Sequence, residues 1–418
     1  MNRICLVAGF SLIFSAFTVD AEEQIISKAD LTDRVLGFWN GQLLGNYIGF
    51  PFENLYSDEA IPILVERIYT ADYDESIPLK IHDSDRRGYI PILARSLGGA
   101  FSDDDTDIEF VTLHAVEKHG LDITYPEITA AWKTHINDFI WVANREARNL
   151  MEQGFIAPDT GRKENNKHWF QIDPQLVNEI WSAFYPGMIE QATKRALWGA
   201  RITNDDWGTH PTIAYGAMIS AAFFEDDVER LVELAVDAVP SRGPFSEGLR
   251  DVIDWHKKYD DWRVTRQLIH DKYWAYAEGD FTAPVSIVSS LNNGLTGIMA
   301  LLYGEGDYTK TVGIATSAGY DSDNQAATLG GLIGAMKGMR GLDDDVIQRM
   351  RTLDSQWEWE EPFNNTYVNI SRDEIRLRTP ITGIADRIVA VAEQAIRQNG
   401  GRMVLRNDEV YYVVNADL

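Results

Sequence analysis

The order of apolar and polar residues divides most of the chain into segments with the 3.6-residue repeat of helices. That repeat predicts helices over residues 31–48, 105–118, 128–153, 174–196, 211–224, 229–239, 245–259, 282–302, 308–317, 323–336 and 380–398. Strict alternation is confined to the far end, where Arg402-Met403-Val404-Leu405-Arg406 and Val410-Tyr411-Tyr412-Val413-Val414 flank Asn407-Asp408-Glu409 and predict a small β-hairpin. Residues 57–95 mix Pro, Asp and Tyr without a period, which predicts an irregular surface excursion of the kind that shapes clefts. No tandem repeat, low-complexity tract or long Pro/Gly/Ser linker interrupts the pattern. The expected fold is all-α, compact and multi-helical, with one domain over residues 22–418.

The first 21 residues follow a different logic. Arg3 supplies a short basic region, residues 4–17 an apolar run, and Val19-Asp20-Ala21 a small-residue cleavage site, which together read as a signal peptide. The run is too short for a comfortable membrane span, so the expectation is export to a periplasmic or extracellular space with no membrane span after cleavage. Cleavage after Ala21 would remove Cys5, the one cysteine, leaving neither disulfide nor thiolate chemistry.

Composition narrows the partners. Sixty-four acidic against 38 basic residues give a formal charge of −26, which repels phosphate backbones and disfavours nucleic-acid binding. Twelve Trp and 17 Tyr suit sugar faces or protein contacts as readily as a core.

Two acidic clusters carry the candidate chemistry. Ser102-Asp103-Asp104-Asp105-Thr106-Asp107 opens one predicted helix, and Gly319-Tyr320-Asp321-Ser322-Asp323-Asn324 opens another. Acidic first turns are ordinary helix caps, and two separately solvated caps are one reading. Four Asp within five residues exceed what capping needs, and the other reading is one shared metal site. Oxygen-only, largely anionic donors select hard cations such as Mg²⁺, Mn²⁺ or Ca²⁺. Neither cluster is an EF-hand, since Gly is missing from the sixth loop position and the twelfth positions are His114 and Leu332. Small residues after the second cluster, Ala326, Ala327, Gly330, Gly331, Gly334 and Ala335, predict a helix that another approaches closely. No His-Glu-x-x-His, Gly-x-Ser-x-Gly, Walker loop or Gly-x-Gly-x-x-Gly after a strand is present.

Taken in order, these motifs resemble the ADP-ribosylglycohydrolases, including the dinitrogenase reductase-activating glycohydrolases. Gly41-Gln42-Leu43-Leu44-Gly45-Asn46-Tyr47-Ile48-Gly49-Phe50-Pro51-Phe52-Glu53 is similar to the family's Gly-Asp-Ala-x-Gly-x-Pro-x-Glu element. Asp103-Asp104-Asp105-Thr106 resembles its Thr-Asp-Asp-Thr, and Tyr320-Asp321-Ser322-Asp323-Asn324 its Gly-Asp-Thr-Asp-Thr. The resemblance implies hydrolysis of a glycosidic bond to an ADP-ribosyl or ribose-like group at a centre of two Mg²⁺ or Mn²⁺ ions. By the same resemblance Asp103, Asp104, Asp105, Asp321, Asp323 and Asn324 are metal ligands, and Glu53, Asp104 and Asp105 are catalytic. Asn46, His210, Tyr320 and Ser322 are expected beside the substrate, a small-molecule or glycosidic one. The departures are Asp103 for Thr, Tyr320 for Gly, Ser322 and Asn324 for Thr, and Asn46 for Asp. They put ADP-ribose itself in question more than hydrolysis, leaving a secreted carbohydrate glycosidase or a non-catalytic sugar- or nucleotide-binding protein as alternatives. A single His before Pro is more often a plain loop residue, which is the other reading of His210, and Trp357 and Trp359 read as packing or as an aromatic edge for a sugar.

Overall fold

A computed structural model describes residues 22–69, 79–82, 98–102, 104–352 and 358–418. The expected signal peptide, Asp103, Trp357 and most of the second half of the 57–95 excursion lie outside the described residues. The described part is all-α with small antiparallel sheets at its margins.

Strand β1 (Glu22–Ser27) leads into α1 (Lys28–Gly49), whose first turn is capped by the Ser27 hydroxyl accepting from the Asp30 N–H at 3.0 Å. Next come α2 (Asp104–His119), α3 (Tyr125–His135), α4 (Val142–Glu152), α5 (Ile180–Phe184), α6 (Ile189–Ala200) and α7 (His210–Ala222). The order continues with α8 (Val228–Ala238), α9 (Pro244–Lys258), α10 (Trp262–Tyr273), α11 (Ser290–Gly304), α12 (Tyr308–Ser317), α13 (Ser322–Lys337), α14 (Asp344–Arg351) and α15 (Ile381–Gln398). Strands β2 (Ala277–Glu278) with β3 (Phe281–Thr282), and β4 (Thr366–Val368) with β5 (Arg378–Pro380), make two-stranded ribbons.

The alternating end segments form β6 (Arg402–Arg406) and β7 (Glu409–Ala416), as the pattern predicts. The hairpin is part of a three-stranded sheet in the order β1-β7-β6, with Glu22 opposite Ala416 and Ser27 opposite Tyr411.

Two long predicted helices are broken. The 128–153 segment is α3 and α4, separated at residues 136–141, where Phe139 has φ +52°, and Val142, the first residue of α4, has φ +30°. The 174–196 segment breaks at Pro186-Gly187, where Gly187 takes φ +71° and donates its N–H to the Ser220 carbonyl at 2.8 Å. The 282–302 helix begins only at Ser290, after the ribbon strand β3 and Pro284. Helices α10 and α14 and strand β1 were not predicted. In α10 the period is blurred because Arg266 is buried while Val264 is exposed, and α14 has only eight residues, two of them buried.

Helices α7, α11 and α13 are buried almost all round, as is α1 from Gly37 onward, and the amphipathic helices α8, α9, α14 and α15 lie outside them. The tightest contact joins α1 to α13. Gly37, Gly41, Gly45 and Gly49 recur every four residues on one face of α1 and meet the backbone of Gly334, Gly330, Ala326 and Asp323 in turn. A Cβ built at Gly41 would lie 2.1 Å from the Gly330 carbonyl oxygen, and one at Gly49 would lie 2.3 Å from the Asp323 Cα. The small residues of α13 therefore have their close neighbour, and it is the helix that leads to Glu53.

Gly41→Ala should force the two helices apart and destabilise the protein by about 1–3 kcal/mol. Urea unfolding would check this, and an unchanged midpoint and slope would show that the pair can shift without cost.

Candidate functional site

Helix α1 passes through a short 3-10 turn, Phe50–Phe52, and delivers Glu53 beside the start of α13. Carboxylate oxygens of Glu53, Asp321 and Asp323 lie within 4.8 Å of one another. Asn54 Nδ2 donates to Glu53 Oε1 at 2.9 Å, and His82 Nε2 donates to the Glu53 carbonyl at 2.7 Å. The Asp321 N–H donates to Asn293 Oδ1 at 3.0 Å, while the Asn293 amide donates to the carbonyls of Ile287 and Ser289. Asp321 stands at the N-cap position of α13, yet its side chain makes no capping hydrogen bond. Its carboxylate is aimed at Glu53 and Asp323.

The first cluster also leaves capping to another residue. The Ser102 hydroxyl accepts from the Thr106 N–H at 3.3 Å. Asp104 Oδ2 accepts from Asn144 Nδ2, and Asp105 Oδ2 from Asn46 Nδ2, both at 2.9 Å. Asp107 fans out to other partners, accepting from the Tyr367 and Ser371 hydroxyls with Arg372 Nε 3.8 Å away.

Electrostatics ties the two clusters together. Burial holds Asp321 well above the usual carboxylate range, and the charge of Asp323, a hydrogen bond with it, and the charges of Asp173 and Asp104 add to the shift. Burial also raises Asp104, against the hydrogen bond from Asn144 and the charge of Arg372. Asp173 is pushed up to about 8 by burial, opposed by the Asn144 N–H and reinforced by Asp104.

The remaining expected site residues fall into two groups. Asn46, Ser322 and Asn324 are buried at the α1–α13 junction, and Asn46 Oδ1, Ser322 Oγ and Asn324 Oδ1 have no hydrogen-bond partner among the described residues. Tyr320 and His210 are placed differently. Tyr320 has φ +63°, in the left-handed region that favours the Gly of the family pattern, and its backbone pairs with Asn54 and Tyr56. Its ring is fully buried against Arg266, His270 and Trp274, and its hydroxyl hydrogen-bonds His270 Nδ1 at 2.8 Å, leaving no ring surface for a substrate. His210 begins α7, buried beside Gly243, and the charge it feels is that of Asp206 rather than any of the converging carboxylates. Trp359 is buried.

Three residues that position this site escaped the sequence reading: Asn144, Asp173 and Asn293. Asn144 and Asn293 sit inside helical periods with nothing to mark them. Asp173 lies in an irregular stretch before Pro174.

The donors suit a hard divalent cation. They are all oxygen, three are carboxylates within reach of one ion, and the mutual repulsion that raises Asp321 is what a cation would relieve.

Polar groups continue inward behind the site. Gln42 Nε2 donates to Glu179 Oε2 at 3.3 Å, and burial pushes Glu179 up to about 8, while Glu109, raised by burial and by Glu179, accepts from the Ile180 N–H.

The family model described as ADP-ribosylglycohydrolase matches residues 27–395. A solved structure described as an ADP-ribosylglycohydrolase-related protein complex is similar at 15% identity with a TM-score of 0.49, over 87% of this chain and 97% of that one. No curated protein matches the chain.

Glu179 gives a pH test. Its folded value lies above its unfolded one near 4.5, so its contribution is fully present below the unfolded value and is lost as pH rises through about 8. Glu179→Gln should therefore raise the melting temperature relative to wild type more at about pH 9 than at about pH 5. An equal difference at both pH values would mean that Glu179 is already charged in the folded protein at the lower one.

Proposed function

The chain belongs to the ADP-ribosylglycohydrolase family, a family of hydrolases, and from that premise we propose that it cleaves a glycosidic bond to an ADP-ribosyl or related ribose-like group with divalent cations, two Mg²⁺ or Mn²⁺, at the carboxylate cluster. The observation that carries this reading is the convergence of Glu53 with Asp321 and Asp323, from two motifs far apart in the chain.

Asp104, Asp105, Asp321, Asp323 and Asn324 would hold the cations, with Asp103 assigned beside them by the family pattern alone. Bound there, a divalent cation supplies Lewis acidity, orienting ring hydroxyls and making water more acidic. The protein's own groups do the positioning. Asn46 fixes the Asp105 carboxylate, Asn144 fixes that of Asp104, and Asn293 fixes the Asp321 backbone. Glu53, oriented by Asn54 and anchored through its carbonyl by His82, is the group that takes or gives the proton at the scissile bond. Ser322 lies in the same shell, whereas the burial of Tyr320 and His210 argues against direct contact with substrate.

A carbohydrate glycosidase is the second reading. Trp169, half-buried against Phe170 and Trp207 with the Lys163 ammonium 5.9 Å from its ring centre, leads into the Asp173 segment, and a part-exposed indole beside a cation suits contact with a hydroxylated sugar. Export under residues 1–21 belongs to this proposal too. No described helix is long and apolar enough to cross a membrane.

Hydrolysis assayed on ADP-ribosylated protein and on a panel of furanosides and oligosaccharides would separate the two readings. Glu53→Gln should lower kcat by about 10²- to 10⁴-fold on the substrate that is turned over. Unchanged turnover in that variant would remove Glu53 from the chemistry, and binding without turnover by wild type on every substrate would leave a sugar- or nucleotide-binding protein.

A further inference from the structure

Asp173 belongs to neither acidic motif, yet the fold brings it to the same place. Its segment is stitched to the one that sets Asp321: the Ile172 N–H donates to the Val288 carbonyl at 2.9 Å, the Ser290 N–H to the Phe170 carbonyl at 3.0 Å, and Gln171 bridges Ser289. Asn293, which receives the Asp321 N–H, bonds the carbonyls of Ile287 and Ser289 in that same segment. On the other side, Asn144 joins Asp173 to Asp104, giving its backbone N–H to Asp173 Oδ1 and its side-chain amide to Asp104 Oδ2, each at 2.9 Å.

The two oxygens of Asp173 are not equivalent. Oδ1 accepts from the first turn of α4 and serves as a cap contributed from a distance. Oδ2 has no hydrogen-bond partner among the described residues, although the side chain is only 7% exposed. A buried carboxylate oxygen without a donor is costly, and capping α4 does not account for it. Asn144 ties the Asp173 carboxylate to that of Asp104, and Asp321 lies in the field of both, so the open oxygen belongs to a carboxylate coupled to the cluster by geometry and by charge.

We propose that Asp173 is a further ligand of the divalent-cation centre, presenting Oδ2 to the ion alongside Asp104 and Asp321. The inference rests on the reading of the cluster as a cation site. It brings a fourth chain segment to the centre, beside those of Glu53, of Asp104 and Asp105, and of Asp321 and Asp323.

The test is calorimetric titration of Mn²⁺ into the full chain, wild type beside Asp173→Asn, with melting temperature read with and without the ion. Asp173→Asn keeps an oxygen for the Asn144 N–H and removes the anion. The expected result is a metal-free melting temperature no lower than that of wild type, a Mn²⁺ dissociation constant weakened by about 10- to 100-fold, and a smaller metal-induced rise in melting temperature. Wild-type affinity in Asp173→Asn overturns the inference and leaves the cation site standing. Absence of Mn²⁺ binding by wild type overturns the cation site, and the role of Asp173 falls with it. Should Asp173→Asn not fold, Asp173→Ser, which also keeps a cap acceptor and lacks the charge, decides by the same criterion.

Discussion

Backbone-to-backbone contact between α1 and α13 is the constraint on which the site depends. Glycines at every fourth position of α1 let its peptide groups meet those of α13 with no side chain between them. Close packing of this kind gives little room for sliding, because any shift along the pair brings a Cβ or a carbonyl into a space that is already filled. The contact ends at Gly49 and Asp323, so the register that packs the core also fixes the separation of Glu53 from Asp321 and Asp323. Fold and site share one set of contacts.

A second layer of control is amide chemistry. Asn46, Asn54, Asn144 and Asn293 each bond a site carboxylate or the backbone that bears it. Neutral amides orient a carboxylate without cancelling its charge, which suits a place where the negative charge has to be kept for a cation. Arg372, a buried guanidinium near the first cluster, lies beside Asp107 instead, and Asp107 is also bound by Tyr367 and Ser371. The described Asp residues of the first cluster are thereby divided by partner type: Asp104 and Asp105 are bound by amides, and Asp107, matched by a cation, braces the 366–372 segment.

Much of this was legible in the sequence. The helical repeat gave the all-α architecture, and the alternation of residues 402–414 gave the hairpin, because in both the burial pattern has a fixed period. The breaks at 136–141 and 185–188 were hidden by apolar residues that continue across them, Ile136, Phe139, Ile140 and Trp141 in the first case and Tyr185 and Met188 in the second. Strand β1 was missed because its partner, β7, is at the opposite end of the chain, and no local pattern records that pairing. In the site, the Asp-rich motifs stood out by composition. The repeat of Gly37, Gly41, Gly45 and Gly49 was equally open to reading, and it identifies the partner of α13. Asp173 left no such trace, since only tertiary pairing of residues 170–172 with 288–290 brings it to the cluster.

The pairing of β1 with β7 and of α1 with α13 has a bearing on how the molecule is made. The first joins the two ends of the described chain and the second joins segments separated by residues 50–321, so neither can form until the ribosome has released most of the chain. Until then the glycine face of α1 and the edge of β1 stay without their partners, and the nascent protein depends on whatever shields them. Asp321 and Asp323 emerge late but ahead of α15, β6 and β7, so the acidic cluster can assemble before the terminal sheet closes around β1.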